Sequence, residues 1–364
     1  MQSSSRKLLI VLIGLLVLGF VVYHASGMIH LGDFSGTKLL HAARHANPFL
    51  LILSIIAIYS CYALRALRWK VFQQNLGPSH FATIYAMTLA GFSAVFLLGR
   101  AGEPVRPLLL ARKEKLPVSG MFGIYVLERL FDTASAAVIA AIGLLLFESR
   151  AHPGETAGKL ETAAKTTGSL LFVGVVAAIA FLLYLRLHGT VLLERRLEGW
   201  VQAHGRRATV AGILLGFARG VQTIGNWSDL ALSVFYSALH WFVVLLVYLW
   251  VSRAFGGTLA AIDMGDAMLV LAFTLVGSAV QLPGVGGGSQ VASFLAYTTV
   301  FRVEKEAAAA ASIVMWLISF AACSLAGVPL LIHEGFSLGK LRQMAEHEKE
   351  AASENVNEQG ESAQ

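Results

Sequence analysis

Eight apolar runs, at 8–22, 49–64, 83–98, 120–147, 168–187, 230–250, 267–280 and 307–332, fill most of the chain up to residue 332. Several reach the ~20 residues that a helix needs to cross a bilayer. In hydrocarbon every backbone N–H and C=O must be paired within the chain, which restricts spanning structure to helices and closed barrels. Continuous apolar runs of this length are helical rather than alternating barrel strands. The expected fold class is therefore an all-α polytopic membrane protein. Only 14% of the 364 residues are charged, against roughly a quarter in a soluble domain. The spans consume the length, so 1–332 is expected to be one membrane unit with no soluble catalytic domain. Within it, 188–228 is a basic amphipathic segment placed in the cytoplasm. The polar tail 333–364, rich in Glu, Ser and Asn, is expected to be disordered. Cys61 and Cys323 fall inside apolar runs and behave as small buried hydrophobes. Arg6 and Lys7 before the first run, with "HASG" after it, imitate a signal peptide, but the run is long and the rest of the chain is membrane too. An uncleaved first span is expected.

Topology follows from where Lys and Arg sit. Arg6 and Lys7 place the N-terminus in the cytoplasm, and the second span returns to a cytoplasmic cluster of Arg65, Arg68 and Lys70. If 83–98 then crossed fully, Arg100, Arg106, Arg112, Lys113 and Lys115 would lie outside, with the arginines of 186–219 after them. If 83–112 instead dips in and returns to the same face, all of these become cytoplasmic. The stretch "LLGRAGEPVRPLLLARKEK" is then the tip and returning arm of a re-entrant hairpin. The same shape recurs at 264–301, where "LPGVGGGSQ" interrupts an apolar helix pattern with Pro283, Gly284, Gly286, Gly287 and Gly288. Proline and glycine are the two poorest helix formers. Six full spans with the N-terminus inside leave the C-terminus inside, beside Lys340, Arg342 and Lys349. The second hairpin then enters from the opposite face, which is the inverted-repeat logic of many transporters.

A broken helix inside a membrane survives only when it is buried in protein or lines a wet cavity. Pro104 disfavours helix at Glu103 and is well placed to begin a new one. Ser289 can cap the helix that follows the glycines. Each hairpin then aims a helix N-terminus, with free N–H groups, into the interior, where it favours an anion. Arg100 and Arg106 add positive charge and forked donors suited to phosphate. In "YVLERLFDTAS", Glu128 and Asp132 share a face of an otherwise apolar helix, and Arg129 can reach Asp132 at three residues. Intramembrane charges cost at least ~2.5–3.5 kcal/mol apiece on insertion scales and mark a functional interior. Glu128 then needs a partner, and Arg100 or Arg106 is the natural one. His240 and Trp241 are weaker candidates, because a lone buried histidine is ordinarily a hydrogen-bonded structural group. The expected substrate site is Arg100, Glu103, Arg106, Glu128, Arg129, Asp132, Pro283, Gly284, Gly286, Gly287, Gly288, Ser289 and Gln290.

"GRAGEPVRPLLL", then "ERLFDT" about twenty residues on, then "PGVGGG" in the C-terminal third, resemble the signature blocks of a known family. It is the flippase-like transmembrane domain of lysylphosphatidylglycerol synthetases and its stand-alone relatives. The resemblance covers nearly the whole chain to about Ile332. It implies movement of aminoacylated phospholipids between leaflets, or a role in lipid-carried glycan pathways. The synthetases carry a soluble aminoacyl-transfer domain after the membrane part, and this sequence shows none. Many relatives have a glutamate shortly after the glycine turn, where this sequence has Gln290. The resemblance therefore does not fix a lysyl-lipid substrate.

Other chemistries are weak. "HAARH" (41–45) spaces two histidines by four residues with no third ligand nearby, and it lies in a short amphipathic stretch, so an interfacial helix is expected rather than a metal site. "GVGGGS" lacks the lysine and the preceding strand of a nucleotide phosphate loop. No nucleophile-elbow spacing is present. The arginines of 193–220 suit anionic lipid better than nucleic acid. No cofactor, catalytic residue or metal is expected. Two functions remain. One is a lipid transporter or flippase for an anionic phospholipid or polyprenyl-phosphate headgroup. The other is a membrane-embedded enzyme, or an accessory subunit beside a separate lipid-modifying enzyme, with Glu128 or Asp132 as base. The expected location is the bacterial inner membrane, with both termini in the cytoplasm.

Overall fold

The computed structural model describes residues 35–74, 76–147, 155–188, 226–278, 281–282 and 286–335. The expected first span, most of the basic segment, Pro283, Gly284 and the polar tail lie outside the described residues.

The described elements are α1 (Gly36–His45), α2 (Pro48–Gln73), α3 (Phe81–Leu98), α4 (Val105–Glu114), α5 (Val118–Leu145), α6 (Glu155–His188), α7 (Trp227–Ala254), α8 (Met264–Gly277), α9 (Gly288–Leu295), α10 (Lys305–Trp316) and α11 (Ala322–His333), with a two-residue β1–β2 ladder between α8 and α9. Pro48–Gln73, Phe81–Gly102, Trp227–Ala254 and Lys305–His333 are each long and apolar enough to cross a membrane. α5 matches them in length, with 28 residues, but spends three positions on Glu128, Arg129 and Asp132. The protein is a polytopic all-α membrane protein.

α2 and α7 form the central antiparallel pair. Asn47 caps α2 by accepting from the Phe49 and Leu50 amides at 3.0 and 3.4 Å, and Pro48 at the first helical position lacks only a donor that would be orphaned anyway. The Asn47 amide donates to the Ala254 carbonyl at 2.7 Å, which ties the start of α2 to the end of α7. One core packs α2 and α7 against α8, α10 and α11. A second lies among α2, α3, α4 and α5. α1, the amphipathic stretch expected at the interface, packs on α10, and its His45 Nδ1 bonds the His41 carbonyl at 2.9 Å.

The first hairpin folds back within Gly99–Pro104, as its glycines and prolines imply, and Gly99 rather than Pro104 carries the break. Gly99 takes φ 66° and ψ −144°, a conformation that costs little without a Cβ. Gly99–Gly102 makes one 3-10 turn, and Glu103 keeps helical angles (φ −59°, ψ −40°) despite preceding a proline. The pre-proline restriction is a preference, and here the glycine absorbs the turn. α4 then returns along α3 so closely that a Cβ on Gly91 would collide with Cβ of Arg106. Gly91→Ala is therefore expected to push α4 off α3 and to destabilise the protein by about 1–3 kcal/mol. Thermal unfolding in detergent checks this, with unchanged melting as the contrary result.

The second hairpin starts from a capping box. The Asp266 amide donates to Asp263 Oδ1 at 2.9 Å and the Asp263 amide to Asp266 Oδ2 at 3.0 Å. After α8 the chain makes an antiparallel ladder pairing Gln281 with Gly287 and Leu282 with Gly286. Gly287 has φ 124°, a region closed to side-chain-bearing residues. The cap differs from the expected one. The Gln290 side-chain oxygen accepts from the Gly287 amide, while Ser289 is buried inside the first turn. α9 begins two residues earlier than a Ser289 cap requires, with Gly287 in the capping position. β1 lies against the 3-10 turn of the first hairpin, so the two breaks meet.

Candidate functional site

Two helices, α2 and α4, converge on the two carboxylates of α5. Glu128 and Asp132 are four residues apart and so project from one face. Arg65 and Arg68, three apart on α2, meet both. Arg65 Nη1 donates to Glu128 Oε1 at 2.9 Å and to Asp132 Oδ2 at 2.7 Å. Arg68 Nη2 donates to Glu128 Oε1 at 3.1 Å and to Asp132 Oδ1 at 2.8 Å, and its Nη1 donates to Ser237 of α7 at 2.8 Å. The hairpin brings in the third cation: Arg106 donates from Nη1 to Glu128 Oε1 at 3.2 Å and from Nη2 to Glu128 Oε2. Glu128, with an exposure of 0%, thus accepts from three guanidiniums. It lies ten residues into α5, about 15 Å along the axis. Removing charges from water costs several kcal/mol per ion, and only dense pairing of this kind offsets it.

Aromatic rings hold the arginines in place. The Arg106 guanidinium lies 4.4 Å from the Trp69 ring centroid and 5.1 Å from that of Phe92, and Arg65 lies 5.1 Å from Phe92. Such contacts stabilise a desolvated guanidinium by up to about 2 kcal/mol. Arg129 is looser. Its Nη2 is 3.6 Å from Asp132 and 3.9 Å from Glu128, its side chain is 41% exposed, and its guanidinium lies 5.4 Å from the Tyr125 ring centroid. The Tyr125 hydroxyl donates to Glu103 on the hairpin turn. Gly91, Phe92, Val95, Glu103, Arg106, Tyr125 and Arg129 surround a cavity of about 40 Å³. That is room for a few waters and too little for a phospholipid headgroup.

Of the residues expected at the site, the structure brings Arg106, Glu128, Arg129 and Asp132 into one network and joins Glu103 to its edge through Tyr125. Arg100 does not join. It is exposed, because the 3-10 turn points it away while α4 carries Arg106 inward. The partner of Glu128 is therefore Arg106, together with Arg65 and Arg68, which topology alone had placed as flanking cytoplasmic charge. The three-residue spacing of Arg65 and Arg68, on the face that also carries Trp69 and Phe72, was the signal that could have found them. Gly286, Gly287, Gly288, Ser289 and Gln290 belong to the second hairpin, whose strand β1 meets the turn of the first. Pro283 and Gly284 lie outside the described residues.

Residues 8–327 match the family model of the lysylphosphatidylglycerol synthase TM region. The chain belongs to this family. The match takes in both hairpins and every residue of the charge network. The sequence is 24% identical over 321 residues to a UPF0104 membrane protein of Methanothermobacter thermautotrophicus, covering 82% of this chain and 89% of that protein. This family member is thus an integral membrane protein with a buried arginine–carboxylate centre between α2, α4, α5 and α7.

Proposed function

We propose that this family member moves an anionic lipid headgroup, a phospholipid or a polyprenyl-phosphate-linked lipid, between the leaflets of the bacterial inner membrane. One observation carries this reading. Four buried or half-buried arginines (Arg65, Arg68, Arg106 and Arg129) face three carboxylates (Glu103, Glu128 and Asp132), leaving one positive charge in surplus beside a pocket. An uncompensated charge in a low-dielectric interior is costly, and a phosphate anion offsets it. Arg129, the most loosely held of the four, and Arg106, whose paired donors suit phosphate oxygens, both line the pocket.

The cavity is too small for a headgroup, so binding requires the hairpin turn to part from α5 at the Glu103–Tyr125 bond. The two hairpins enter from opposite faces of the membrane, both termini are cytoplasmic, and the meeting of the breaks supports a shared site exposed to each leaflet in turn. A base role for Glu128 or Asp132 is less favoured, because the oxygens of each carboxylate are already taken by two or three guanidiniums. A separate lipid-modifying enzyme remains compatible as a supplier of the transported lipid.

The test is reconstitution of the full chain into phosphatidylcholine–phosphatidylglycerol vesicles carrying fluorescent phosphatidylglycerol, with leaflet-specific quenching. Labelled lipid is expected to become fully quenchable in protein-containing vesicles and to stay about half protected in empty ones. Equal protection in both would remove transport from consideration. In the same assay Gly287→Ala is expected to slow movement at least tenfold, since a Cβ is excluded at φ 124°. Wild-type rates in this variant would detach the second hairpin from the site.

A further inference from the structure

α7 carries a line of buried polar side chains that the ion network does not explain. Asp229, Ser233, Ser237 and His240 follow one another at spacings of four, four and three, on one helix face, and all are at most 7% exposed. Ser233 Oγ donates to the Asp229 carbonyl at 2.6 Å and Ser237 Oγ to the Ser233 carbonyl at 2.7 Å. Ser237 also accepts from Arg68, which joins the line to the arginine–carboxylate centre. Opposite runs α2, in an antiparallel register that sets Asn47 on Ala254, Cys61 on His240 and Arg68 on Ser237.

Along this seam stand polar atoms with no hydrogen-bond partner among the described residues: Asp229 Oδ2 and both ring nitrogens of His240. A single orphaned group costs about 1–3 kcal/mol, and native interiors hold few of them. Three on one line of α7 require a common explanation, and a chain of hydrogen-bonding waters running inward from the start of α7 supplies it. The file spans eleven residues, about 16 Å of helix, roughly half of a ~30 Å hydrocarbon core.

We infer that the seam between α2 and α7 is a proton path, with Asp229 at its mouth and His240 as the buried protonation site, and that one proton accompanies each anionic lipid. This rests on the transport proposed above. The charged groups acting on His240 are Arg65 and Arg68 of α2 and Asp132 of α5, with Glu128 and Arg129 in the same network. α8 and α10 carry charge only in their first turns, at Asp266 and at Lys305 and Glu306. Imidazolium beside two guanidiniums adds to the positive surplus, whereas an anion held by Arg106 and Arg129 removes that surplus. Anion and proton therefore favour each other's binding, and by linkage the coupling is reciprocal. A proton from water passes to a ring nitrogen of His240 as the lipid anion enters, and returns to water when the lipid leaves on the other side. The pair crosses without net charge.

The experiment uses the full chain in phosphatidylcholine–phosphatidylglycerol vesicles with fluorescent phosphatidylglycerol, the membrane potential clamped at zero, and a pH step of one unit. Wild type is expected to gather labelled lipid in the leaflet facing the alkaline side, up to about tenfold, the limit for one proton per lipid. His240→Gln is expected to hold a leaflet ratio near one under the step. Asp229→Asn is expected to slow the approach to asymmetry. A wild-type ratio that stays at one while lipid moves overturns the proton path alone, as does a His240→Gln ratio equal to wild type. Absence of any lipid movement in wild type overturns the transport function with it.

Discussion

Glu128→Ala is expected to be the most damaging single substitution in the protein. Glu128 is the acceptor shared by Arg65, Arg68 and Arg106, and its loss leaves Asp132 to answer for all of them. Breaking a buried pair by deleting one partner typically costs about 3–5 kcal/mol, because the remaining charge stays buried and uncompensated. At roughly 2–4 °C per kcal/mol for a chain of this class, melting in detergent is expected to fall by about 10 °C or more. Glu128→Gln keeps an acceptor but no charge and is expected to lie between the two. Melting of Glu128→Ala within about 2 °C of wild type would mean that the three arginines do not depend on this carboxylate.

Arg106→Ala is expected to behave in the opposite way, staying folded while losing transport. Glu128 keeps Arg65 and Arg68, so no buried charge is stranded, and α4 still packs on α3 through its apolar residues Val105, Leu109 and Leu110. What disappears is the forked donor that lines the pocket. A hydrogen bond to a charged group contributes about 1.5–3 kcal/mol, so lipid movement is expected to fall at least tenfold. Arg106→Lys keeps the charge without the paired geometry and is expected to recover part of the rate. Full activity in Arg106→Ala, with normal melting, would show that Arg106 serves packing alone.

Much of this architecture was legible in the residues because glycine, proline and intramembrane charge have few uses in hydrocarbon. The "GRAGEP" and "LPGVGGGSQ" breaks announced two fold-backs, and Glu128 and Asp132 announced a polar interior. What sequence spacing could not separate was inward from outward. Arg100 and Arg106 flank the same turn, and only the 3-10 geometry of Gly99–Gly102 decides that Arg106 is the one buried. Arg65 and Arg68 sit near a helix end, where positive charge is also the ordinary marker of a cytoplasmic boundary, so their topological role concealed their structural one. The cap on α9 was ambiguous for a related reason: serine is the commoner capping residue, but a glutamine three residues into the turn can reach back to the same amide. His240 shows the limit most clearly. A histidine with both nitrogens orphaned looks the same in sequence as one that is fully hydrogen-bonded.

The most direct measurement is an electron-microscopy map of the protein in lipid nanodiscs containing phosphatidylglycerol, at a resolution that shows side chains. Headgroup density is expected between Arg106 and Arg129, with phosphate oxygens within hydrogen-bond distance of both and the Glu103–Tyr125 bond opened to admit it. A map in which Arg106 remains on Glu128, the pocket stays closed and lipid density is confined to the outer faces of the helices would contradict a headgroup site at this centre.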